Sequence, residues 1–127
     1  MSVQTYKDII TKKNTMELAD WVIENYTLEI PESIENADDM ALVSKLLANT
    51  VNKISFISNL LSYTKVLQRE SKRKTGSVSK LENEDLIDKK EVLSNTLESL
   101  ILQHKALSRM ITVRQEILNE LKMNEVY

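Results

Sequence analysis

The chain contains no cysteine. Disulfides, thiolate nucleophiles and cysteine-ligated zinc are thereby excluded, and nothing calls for an oxidising compartment. Of its 127 residues, one is glycine and one is proline. These residues punctuate turns, so their scarcity argues against a many-stranded β fold and predicts a few long elements. The single histidine, His104, leaves too few ligands for a transition-metal site. There is no glycine-rich loop to cradle a phosphate and no serine loop to present a nucleophile. No stretch approaches the roughly 18 apolar residues of a membrane span, and residues 1–8 have no apolar core of signal-peptide type. The expectation is a cytoplasmic, non-enzymatic protein with no catalytic residues, metal, cofactor or membrane contact.

What the chain does have is apolar residues, 42% of the total, recurring at helical spacing. Length and composition predict one all-α domain. Residues about 1–30 hold short N-terminal helices: one around Tyr6, Ile9 and Ile10, and a second from Thr15 to Tyr26. Asn14 stands as N-cap of the second, with Glu17 at capping-box spacing. Pro31 marks a linker, because the residue before a proline is pushed out of the α region. A long helix follows over about 37–75, with Met40, Val43, Leu47, Val51, Ile54, Ile57 and Leu61 on its apolar stripe. Asp38 and Asp39 suit its N-terminal dipole, and Lys72, Arg73 and Lys74 its C-terminal end. Thr75-Gly76-Ser77-Val78-Ser79 is the one strong break, with Gly76 suited to end one helix and Ser79 to cap the next.

The last helix spans about 80–122 and carries the clearest pattern. A heptad seam reads Leu86, Lys90, Leu93, Leu97, Leu100, His104, Leu107, Ile111, Arg114, Leu118 and Leu121, apolar at all but three positions. A second stripe adds Ile101, Met110, Val113 and Ile117, more than one partner helix can cover. The short break at Gly76 favours a long antiparallel hairpin, its leftover apolar face covered by assembly into an oligomeric helical bundle. Leu93, Leu97, Leu100, His104, Leu107, Ile111, Arg114 and Leu118 are the expected homo-oligomer interface. Lys90 and Arg114 either reach a wet edge or pair with acids across that interface.

Net charge is only −2, but it is unevenly placed. Glu17, Asp20, Glu24, Glu29, Glu32, Glu35, Asp38 and Asp39 follow one another with no intervening Lys or Arg. Further on, Lys65, Arg69, Lys72, Arg73, Lys74 and Lys80 cluster around the turn with Glu70 as the one acid among them. Such a cluster either complements a helix end or contacts phosphates, with Tyr63 as a candidate base-stacking ring. Glu82, Glu84, Asp85 and Asp88 are read as dipole complements at a helix start rather than as a cation cage. Trp21 is read as core rather than as an interface anchor.

This layout resembles small helical phage accessory proteins such as the recombination mediators of T4-type phages. The resemblance rests on Ala41-Leu42-Val43-Ser44-Lys45-Leu46-Leu47, Leu60-Leu61-Ser62-Tyr63-Thr64-Lys65, and Asp88-Lys89-Lys90-Glu91-Val92-Leu93 with the heptads after it, and spans about residues 37–120. It implies ring-like oligomers that bind single-stranded DNA and help load a recombinase. Lys65, Arg69, Lys72 and Arg73 would then hold the DNA backbone, and the C-terminal helix would form the oligomer. The acidic N-terminal third departs from the pattern. Two other readings stay open: a protein-binding inhibitor or adaptor, of the phage anti-defence type, that sets its acidic surface against a basic host factor, and a structural protein of a virion or assembly.

Overall fold

The computed structural model describes residues 3–73 and 77–126. Among them are four helices and no strand: α1 (Val3–Lys12), α2 (Thr15–Tyr26), α3 (Ala37–Arg73) and α4 (Ser77–Val126). The all-α antiparallel hairpin expected from the sequence is present as α3 and α4. At 37 and 50 residues these run about 55 and 75 Å.

Helix starts follow from local side chains. Asn14 Oδ1 accepts from the Glu17 amide at 2.8 Å, the N-cap bond the spacing predicts. At α3 the cap is Asn36, two residues before Asp38: its Oδ1 accepts from the Asp39 amide at 2.9 Å. Asp39 in turn accepts from the Glu35 amide at 3.0 Å, which fixes the entry of the linker. The fourth helix begins at Ser77, so Ser79 lies inside it and is not its cap. Lys74, Thr75 and Gly76, and with them the expected helix-ending role of Gly76, lie outside the described residues.

The two long helices meet along matched heptads. Val43, Thr50, Ile57, Thr64 and Ser71 are buried on α3, and Leu93, Leu100 and Leu107 on α4. Val43 shares a core cluster with Leu107, and Ile57 with Leu93, which sets the antiparallel register. This corrects the apolar stripe expected for α3. Val51 is 52% exposed, and the seam position beside it is Thr50, fully buried. A threonine can occupy a seam because its hydroxyl bonds its own helix: Thr50 Oγ1 donates to the Leu46 carbonyl at 2.6 Å and Thr64 Oγ1 to the Leu60 carbonyl at 2.8 Å.

The N-terminal helices cover the half of the hairpin nearest the turn. Ile10 of α1 and Leu18 and Val22 of α2 join Ile57, Leu60, Leu61, Leu93 and Leu100 in one core. Each fully buried Leu or Ile contributes about 2–3 kcal/mol relative to exposure. Exposed ion pairs such as Lys12–Asp8 at 3.7 Å contribute at most about 0.5 kcal/mol, so burial holds the fold. Trp21 is half-buried beside this core, its ring 5.3 Å from Tyr26 and 6.2 Å from Phe56. Ile34 of the linker packs with Val43 and Leu107 in a second cluster further along.

Candidate nucleic-acid interface

Lys65, Arg69 and Lys72 stand four and three residues apart, so they form one stripe along a flank of α3, with Arg73 at its edge. All four are exposed, and none is ion-paired among the described residues. Lys80, on the first turn of α4 past the break, is exposed as well. Lys74 lies outside the described residues.

Tyr63 does not join the stripe. Two residues from Lys65 on a helix is more than half a turn, so the ring leaves on the opposite flank, where it is half-buried. The expected stacking partner for a base is therefore displaced from the cations it was to accompany. The hairpin also brings α4's Glu82, Glu84, Asp85, Asp88 and Glu91 to the same end as the basic stripe. The local field is more mixed than the linear charge run of α3 implies.

Four other cations are committed to the fold. Lys89 is buried at 4% exposure; its Nζ donates to the Ile10 carbonyl at 2.7 Å and lies 2.8 Å from Asp85 Oδ2. Asp85 also accepts from Thr15 Oγ1 at 3.3 Å, so one ammonium and one carboxylate tie α1, α2 and α4 together. Lys53 Nζ donates to the Asn25 carbonyl at 3.1 Å, at the end of α2. Arg114 donates to the Glu35 carbonyl at 3.1 Å. Lys90 Nζ donates to Gln68 Oε1 at 3.0 Å. Among the described residues, neither Lys90 nor Arg114 pairs with an acid. Both reach neutral oxygens of their own chain.

Lys89 escaped the sequence reading. The available signal was its position three residues after Leu86 and four before Leu93, on the apolar side of the helix. Its task is that of a helix C-cap supplied from a distance: the last carbonyls of α1 lack amide partners, and a cation satisfies one of them.

The expected oligomer interface needs a larger correction. Leu93, Leu100 and Leu107 are 0–1% exposed within one chain. Their surface is consumed by α3 and the N-terminal segments, because the hairpin partner takes the seam first. Leu97, His104, Ile111 and Arg114 are half-buried along the same seam, and Leu118 alone of the eight is exposed.

Among the described residues, no three His, Asp or Glu side chains converge in a way that would hold a metal ion. Among these residues, no helix is long and apolar enough to cross a membrane. Burial pushes the Tyr26 phenol up to about 12. It stacks on Phe56 at 6.1 Å, with Lys53 Nζ 5.7 Å from its ring centre. No family model, curated protein or solved structure matches the chain.

Proposed function

We propose that this chain is a non-enzymatic, self-associating accessory protein of phage-type DNA recombination or replication that holds single-stranded DNA along the α3 basic stripe. The observation that carries this reading is a contrast among its cations. Lys53, Lys89, Lys90 and Arg114 are spent on oxygens of their own chain, whereas Lys65, Arg69, Lys72 and Arg73 stand exposed on one flank with no ion pair among the described residues. Exposed cations in a row suit phosphates, and the binding they give is led by the backbone, indifferent to sequence and weakened by salt. With Tyr63 on the other flank, stacking adds little to the affinity.

The test is fluorescence anisotropy of a labelled single-stranded oligonucleotide at low and moderate salt. Binding that a Lys65→Glu/Arg69→Glu/Lys72→Glu variant abolishes supports the reading. Equal binding by that variant, or none by the wild-type chain at low salt, overturns it. A second reading rests on the acidic side: Glu17, Asp20, Glu24, Glu29, Glu32, Glu35 and Asp38 are all exposed. That surface suits a basic, nucleic-acid-binding protein partner, and absence of DNA binding combined with capture of such a protein would favour it.

A further inference from the structure

The hairpin has unequal arms. The excess length of α4 falls at its C-terminal end, because Arg114 already reaches Glu35, just ahead of the first residue of α3. Residues 115–124 are all exposed, and those after Ile117, which still shares a groove with Glu32, Ser33 and Ile34 of the linker, extend past it. A lone segment of this length is marginal as a helix in water, yet it carries Ile117, Leu118 and Leu121, 41–53% exposed. Ile117 and Leu121 continue a stripe begun by Ala106, Met110 and Val113, spaced by three and four along α4. Beside that stripe the linker residue Ile34 walls a groove of about 310 Å³.

We propose that the occupant of this groove is the projecting end of α4 from a second copy, in an antiparallel two-fold dimer; this rests on the self-association assumed above. Charge complementarity argues for it. Arg109 and Glu120 lie on the same edge of the stripe, the edge away from α3, and both are exposed without an ion pair among the described residues. A two-fold axis perpendicular to paired antiparallel helices sets like edge against like edge. That edge carries Arg109 towards one end and Glu116 and Glu120 towards the other, so it is self-complementary: Arg109 of each copy meets Glu120 of the other. The axis then falls between Arg114 and Gln115, and Leu121 of each copy seats beside Ala106, where the small side chain leaves room. A parallel pair would instead set Arg109 and Glu120 against the edge bearing Arg114 and Leu118.

The lack of cysteine makes the test clean. Light scattering of the wild-type chain is expected to give twice the 14.6 kDa chain mass. Arg109→Glu and Glu120→Arg should each halve it, and the double reversal should restore it. Oxidised Val113→Cys should cross-link to itself, and Leu121→Cys only to Ala106→Cys in a mixture. Self-linking of Leu121→Cys, or single reversals that leave the mass unchanged, would overturn the interface while sparing self-association through another face. A monomeric wild-type chain overturns both. The oligonucleotide titration is independent of either, since the basic stripe lies at the opposite end of the hairpin.

Discussion

The ammonium of Lys89 sits 2.7 Å from the carbonyl oxygen of Ile10, buried where α1 ends against α4. Lys89→Ala would leave that carbonyl without its donor and Asp85 without its cation. A loss of about 2–3 kcal/mol is expected, the usual cost of stranding a buried charge-assisted bond. Urea unfolding checks it. Lys89→Met, which keeps the apolar stem, should lose less, and a midpoint unchanged in both variants would remove the cap from the stability argument.

Neighbouring residues on α3 should respond oppositely. Val51→Ser, at an exposed position, is expected to change stability by less than about 0.5 kcal/mol. Thr50→Asp places a charge in the seam and should cost several kcal/mol or prevent folding. Leu93→Ala, a cavity in the same seam, should cost about 2–5 kcal/mol. Thermal melts of the three variants read this directly.

That pair also shows what the sequence could and could not reveal. The helices, the Asn14 cap, the bounds of α2 and the antiparallel pairing were legible because they depend on spacing and on the near absence of glycine and proline. The face of α3 was not wholly legible. Scored by hydropathy, Val51 outranks Thr50, but a threonine that bonds its own helix carries no desolvation debt and yields its place in register to no valine. The seam of α4 was visible as a pattern, but how much of it the hairpin would bury within one chain was not. Leucines that fit a second copy fit an adjacent helix of the same chain equally well, and the short connection favours the intramolecular choice. The basic cluster was visible as composition. Its separation from Tyr63 and its mixture with the acids of α4 are products of folding.

Alkaline pH should act through Tyr26. Its phenol is raised from 10.0 to about 12 by burial. The folded chain therefore holds this proton more tightly than the unfolded chain. The associated stability is fully present below pH 10, declines as pH rises through the window between 10 and 12, and is lost above it. Ultraviolet titration should show a tyrosine ionising near 12, and Tyr26→Phe should remove that contribution to the pH dependence of unfolding.

Binding of single-stranded DNA through Lys65, Arg69, Lys72 and Arg73 has a quantitative signature. Four phosphate contacts predict a slope of about −3 in log affinity against log salt. Removing one cation, as in Arg69→Gln, should reduce the slope by about 0.7 without changing preference among sequences. A flat salt response would point to contacts other than these.

The bond between Lys89 and Ile10 joins residues 79 apart in the chain, and the one between Asp85 and Thr15 residues 70 apart. Contacts between α3 and α4 near the break close far smaller loops. By loop-closure entropy the difference is about 2 kcal/mol. The hairpin is thus expected to zip from its turn, and α1 and α2 to dock onto a surface already made. The same ordering, read backwards, makes the N-terminal helices the first part of the molecule to open. Their amides should exchange with solvent through a partial unfolding that leaves the α3–α4 seam protected, so the acidic third of the chain behaves as a separable layer over a more durable rod.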